Sequence, residues 1–167
     1  MSQPNVGVHP KPVAMADDPP DPYDLQRFVE VQEPAYDRAL SELRAGRKQT
    51  HWIWYIFPQL AGLGSSQMAR TYGIQTLDEA RAYLAHPLLG ARLTECVVAL
   101  NFLARGSARE VLGEVDAMKF RSSMTLFSEV AGNRSVFAQA LEKYFSGERD
   151  ATTLSLIARN RETQRDA

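Results

Sequence analysis

From Tyr23 to about Arg159 the apolar positions recur at three- and four-residue spacing, the period of helices that each bury one face. Leu25, Phe28, Val29 and Gln32 form the first such stripe, which stops before Pro34. Pro34 suits the first turn of a second helix, where Tyr36, Ala39, Leu40 and Leu43 form the stripe and Gly46 supplies the stop. Ser65 is placed to cap a helix running to Tyr72. Thr76-Leu-Asp-Glu79 and Ser107-Ala-Arg-Glu110 are capping boxes, in which a hydroxyl and a carboxylate satisfy orphan N–H groups reciprocally. The first opens a helix to about Ala85. A longer apolar helix follows Pro87, with Leu93, Cys96, Val97, Leu100 and Leu103 inward. Asp116 reads as the N-cap of a helix ending near Gly132, and two more helices follow at about 134–146 and 151–160, the last capped by Asp150. No stretch of five or more residues alternates cleanly as a strand would. The pattern predicts an all-α fold, a single-domain, irregular multi-helix array.

Six of the nine prolines fall in the first 22 residues. Proline lacks an amide donor and restricts its predecessor, so residues 1–22 are expected to be a disordered tail, within which Met15 offers an alternative start. The helical domain is then 23–160, and 161–167 a polar, frayed end. Nineteen Lys+Arg against 20 Asp+Glu argue against a protein that coats nucleic acid. The lone Cys96 excludes a disulfide framework, and no His/Cys/Asp/Glu set has metal-ligand spacing, so no metal or cofactor is expected. No apolar run is long enough to span a membrane, and the start lacks the regions of a secretory signal. The expected location is cytoplasmic.

Three segments carry candidate chemistry. Trp52, Trp54, Tyr55 and Phe57 crowd four of the fifteen aromatics into six residues, too many to face one way. They read as core, with Trp52 and Trp54 also able to wall a ligand site beside His51. His9 falls in the tail and His86 at a helix end. Gly62-Leu-Gly64-Ser65 precedes a helix and can turn tightly to present N–H groups to an anion, with Arg70 one turn on. It matches neither phosphate-loop fingerprint, and helix capping is its plain role.

The third segment is the helix from Asp116. At about 100° per residue from Asp116, Phe127, Phe120, Ala131 and Met124 fall between about 20° and 80°, and Val130 and Leu126 near 320° and 280°. Lys119, at about 300°, and Ser123, at about 340°, intrude on this apolar face, while Arg121, Thr125 and Ser128 lie opposite. An ammonium among apolar groups must snorkel, pair or meet a ligand. Asp116 is a ready partner at i,i+3. The alternative is that Lys119 and Ser123 line a pocket for an anionic group.

These segments together resemble a bacterial family, the domain of unknown function 1810, sometimes labelled calpastatin-like. The resemblance is carried by Leu25-Gln-Arg-Phe28 with Gln32, Tyr36 to Leu40, Gly46 with Lys48, and His51-Trp-Ile-Trp-Tyr-Ile-Phe-Pro-Gln59. It continues through Gly62-Leu-Gly64-Ser65, Glu79-Ala80, His86-Pro87, Asp116 with Lys119, and Ser122 to Phe127, over about 23–157. It implies a mostly helical domain and no particular activity. The calpastatin label implies protease inhibition through disordered repeats, which a folded chain without repeats does not share. In layout the chain is also similar to NADAR-type ADP-ribose glycosidases, which implies N-glycosidic chemistry on a nucleotide-derived substrate. Such chemistry requires a carboxylate, for which Glu79 and Asp116 are the candidates. The expectation is a pocket for an anionic, nucleotide-like small molecule, with His51, Trp52, Trp54, Gly62, Gly64, Ser65, Arg70, Lys119 and Ser123 lining it. It requires Lys119 and His51 to approach within about 10 Å of each other. Hydrolysis of a nucleotide or ADP-ribose conjugate would be its enzymatic form. A non-catalytic protein-interaction module is the alternative, and predicts an exposed apolar patch.

Overall fold

A computed structural model describes residues 20–166, and all regular structure among them is helical. In chain order the helices are α1 (Gln26–Gln32), α2 (Tyr36–Arg44), α3 (Ile53–Ile56), α4 (Gln67–Tyr72) and α5 (Leu77–Ala85). They continue as α6 (Leu89–Asn101), α7 (Ala108–Leu112), α8 (Glu114–Ala131), α9 (Val136–Phe145) and α10 (Ala151–Arg165). An isolated parallel bridge, Leu60 with Ile74, is the extended pairing among the described residues. The fold is all-α. The proline-rich segment expected to be a tail lies almost wholly outside the described residues.

Side-chain caps explain where many helices start. Thr76, Ser107, Ser135 and Asp150 each accept a hydrogen bond from the amide three residues on. Four expectations shift. Ser66 rather than Ser65 caps α4, accepting from Ala69 N at 3.1 Å. Pro34 lies in the turn before α2 and not in its first turn. Asp116 is inside α8 rather than at its cap. Gly113, at φ 88°, both ends α7 and precedes α8, a conformation in which other residues are strained. Finally, α10 runs to Arg165, past the expected end near residue 160.

The centre of the fold is α8, which packs against α3, α5, α7, α9 and α10. Phe120 and Phe127 are its fully buried anchors. Phe120 meets Phe57 at 4.8 Å between ring centroids, and Phe127 meets Tyr83 at 5.5 Å, which in turn stands edge-on to Phe28 at 5.1 Å. The polar side of α8, opposite its apolar face, is buried too. Thr125 and Ser128 are covered, and Asp150 N, at the start of α10, donates to Thr125 Oγ1 at 3.0 Å. The hydroxyls accept this burial because they return to their own helix, Thr125 to Arg121 O and Ser122 to Met118 O. Gly90 lets α6 begin tight against α5, since a Cβ there would lie 2.1 Å from Leu84 O.

Candidate functional site

The aromatic segment is organised by a residue the hydrophobic pattern does not single out. Glu42, near the end of α2, is buried, and its Oε1 accepts from Gln49 N (2.6 Å), Thr50 N (2.8 Å) and Trp52 Nε1 (3.1 Å). Its Oε2 accepts from Thr50 Oγ1 at 2.6 Å. Burial pushes the carboxyl up, but the bonds from the Thr50 hydroxyl, the Gln49 and Thr50 amides and the Trp52 indole outweigh it, holding the pKa at about 2. This carboxylate fixes Trp52, whose indole N–H is thereby satisfied inside the core. Trp52, Tyr55, Ile56 and Phe57 are buried, while Trp54 is half-buried.

On the other side of the segment two lysines share one carboxylate. Lys48 Nζ lies 2.8 Å from Asp116 Oδ2 and donates to Thr50 O at 2.6 Å, and Lys119 Nζ lies 3.6 Å from Asp116 Oδ1. Each ammonium also faces an indole, Lys48 over Trp52 and Lys119 over Trp54, both at 4.9 Å from the ring centroid. The order is indole, ammonium, carboxylate, ammonium, indole. Its two ends are unequal: the Lys48 side chain is 7% exposed and that of Lys119 is 25% exposed. Asp116 therefore does pair with Lys119, as the i,i+3 spacing predicts, but Lys48 is the closer partner. That partner is remote in sequence, and Lys48 entered the sequence reading only within the family resemblance, beside Gly46.

Of the remaining candidates, Trp54 and Gly64 line one small cleft with Gln59, Leu60, Leu63, Met68, Ala69, Tyr72 and Gly73. It encloses about 10 Å³, room for about one water and far below the volume of a typical ligand pocket. Lys119, His51 and Ser123 do not line it. His51 is exposed, and what it gives the packing is its carbonyl, which accepts from Tyr55 OH at 3.2 Å. Gly62, Ser65 and Arg70 are exposed. Ser123 is fully buried in α8, and its Oγ has no hydrogen-bond partner among the described residues. The structure thus joins Trp52, Trp54 and Lys119 with Lys48 and Asp116, and brings Gly64 to Trp54.

The carboxylates considered for glycosidic chemistry are both engaged. Asp116 bridges the lysines. Glu79 is buried, accepts from Arg27 Nη2 at 2.8 Å and accepts from Gln75 N at 3.4 Å, one residue before the Thr76 N–H that its capping box predicts as the donor. Arg27 spends its other donors on the carbonyls of Tyr23, Asp24, Thr71 and Gly73. The pair staples α1 to the first turn of α5, and the carbonyl bonds tie Arg27 to the end of α4.

Comparison with known proteins agrees with the resemblance read from the sequence. A family model described as "Protein of unknown function (DUF1810)" matches residues 22–157. The crystal structure of the conserved hypothetical protein Rv1873 from Mycobacterium tuberculosis is similar at 49% identity and a TM-score of 0.80, covering 83% of this chain and 99% of that one. No curated protein matches.

Proposed function

The chain belongs to the DUF1810 family, and on that premise we propose that it binds an anionic small molecule at Lys119 and Trp54. One observation carries the reading: the unequal hold on Asp116. Lys48, nearly buried at 2.8 Å, neutralises the carboxylate, while Lys119 stands 3.6 Å away and a quarter exposed. An incoming phosphate or carboxylate can take Lys119 without leaving Asp116 unpaired, so the exchange avoids the cost of a stranded charge. Trp54 offers an adjoining π-face for a ring, which makes a nucleotide-like ligand the favoured class. The half-closed cleft beside Trp54 is too small to admit such a ring, so the ligand lies across the surface. Since Glu79 and Asp116 both sit in ion pairs, the proposal is one of binding. A cytoplasmic setting, where such ligands abound, belongs to the same proposal; among the described residues no helix is long and apolar enough to cross a membrane.

The test is a thermal-shift titration with inorganic phosphate, AMP and ADP-ribose at low salt. A ligand at 100 times its Kd adds about 2.7 kcal/mol, which for a chain of this size raises the midpoint by roughly 5–10 °C. The expected result is a rise in the native protein that Lys119→Gln abolishes and Trp54→Leu weakens. If none of the three moves the midpoint, or Lys119→Gln responds like the native protein, the proposal is wrong. A single observation favours the interaction-module alternative: Phe102 is 85% exposed.

A further inference from the structure

The small cleft beside Trp54 is walled mostly by apolar side chains, among them Leu60, Leu63, Met68 and Ala69, and Gln59 brings a carboxamide to it. The backbone of Gln59 is clamped, since its carbonyl accepts from Ile74 N at 2.9 Å. Its side chain is half-buried, and the carboxamide has no hydrogen-bond partner among the described residues. Gln32 shows the contrast. Wholly buried, it donates from Nε2 to Tyr55 O (2.7 Å) and Tyr83 OH (3.0 Å), so its amide belongs to the scaffold. A carboxamide offers an acceptor and two donors side by side. That of Gln59 is held in place at its backbone and open at its head.

Resting on the reading of Lys119 and Trp54 as a site for an anion and a ring, we infer that Gln59 selects the ring, and that the ring is adenine. A ring laid over Trp54 across the mouth of the cleft brings its edge to Gln59, which lines the same cleft. Adenine presents an amine donor beside a ring-nitrogen acceptor, and a carboxamide matches that pair with two parallel hydrogen bonds. Hypoxanthine carries a carbonyl oxygen in place of the amine. It sets an acceptor against Gln59 Oε1, and one of the two bonds is lost. The work of the site is then divided. Lys119 takes the phosphate, Trp54 the flat face, and Gln59 the identity of the base. The ligand class narrows from nucleotide-like anions to adenosine monophosphates and the phosphoesters that contain one.

The test is isothermal titration of the full chain at low salt with AMP, IMP and ribose phosphate, which has no base. It compares the native protein with Gln59→Met, a variant that keeps the length of the side chain and the backbone bond from Ile74 N. The native protein should bind AMP about tenfold more tightly than IMP, the size of one well-placed base-edge pair. Gln59→Met should bind AMP no better than IMP, yet hold ribose phosphate as the native protein does, which shows that the fold and the Lys119 contact survive. A native protein that binds AMP and IMP alike overturns the inference. So does a Gln59→Met that keeps the preference, or one that also loses ribose phosphate, since the residue would then be structural. In each of these cases the Lys119 reading stands if Lys119→Gln abolishes native binding of ribose phosphate. If the native protein binds none of the three, that reading falls and this inference with it.

Discussion

Glu42 and Asp116 grip the same aromatic segment from two sides, in opposite ways. Glu42 receives four hydrogen bonds from Gln49, Thr50 and Trp52, and both its oxygens are occupied. Asp116 is shared between a close lysine and a distant one. A buried charge that is fully partnered has one arrangement and holds it. A charge with an unequal pair of partners can give up the weaker without being stranded. The difference separates a part of the scaffold from a part that can respond to something outside it.

The largest expected effect comes from emptying the first grip. Glu42→Ala strands the Trp52 indole N–H and two amides, and a loss of about 3–5 kcal/mol in urea unfolding is expected, as when one partner of a buried charge network is removed. A loss below about 1 kcal/mol would dissolve the contrast between the two carboxylates.

Acid is the next lever. Glu42 has a folded pKa of about 2, below its ordinary 4.5, so its stabilisation is complete above pH 4.5 and lost as pH falls toward 2. The shift amounts to about 3 kcal/mol. Glu42→Gln, already neutral, should show a shallower acid limb over that window. An acid limb as steep as the native one would assign the slope to other carboxylates.

The smallest effects sharpen the second grip. Lys48→Met removes the close ion pair and the bond to Thr50 O and should cost about 1–3 kcal/mol. Lys119→Met, at a more exposed and longer pair, should cost less than about 1 kcal/mol. Equal losses in denaturant unfolding would mean that Asp116 holds its two lysines alike, and the asymmetry on which ligand binding rests would be gone.

Local chemistry was legible in the sequence, and remote pairing was not. Thr76, Ser107 and Asp150 are caps in the chain as in the fold, because a cap needs only the amide three residues on. Asp116 carries the same signal, yet Gly113 wins the boundary: its positive φ lets α8 start directly off α7. The helical wheel found Lys119 as a rule-breaker but could not find Lys48, whose partner is far along the chain. Glu42 left no trace in the periodicity, since a carboxylate at the edge of an amphipathic stripe usually faces water. Its partners are all in the segment that follows α2. The burial of the polar side of α8 was illegible for a related reason. Ser and Thr that bond back to their own helix can be buried, and only α10, docking at Asp150 N, makes them so.

The bridge between Leu60 and Ile74 has a further consequence. Ala61 N donates to Ile74 O at 2.7 Å and Ile74 N to Gln59 O at 2.9 Å, so the excursion carrying Gly62–Ser66 and α4 leaves and returns at one neck. Arg27 reinforces that neck through Thr71 O and Gly73 O. A cut at exposed Gly64 therefore leaves both new ends anchored a few residues away. In such a nicked molecule the two new ends stand at the wall of the Trp54 cleft, and α4 stays docked through Tyr72, whose ring meets Phe28 at 5.7 Å and Tyr55 at 5.5 Å.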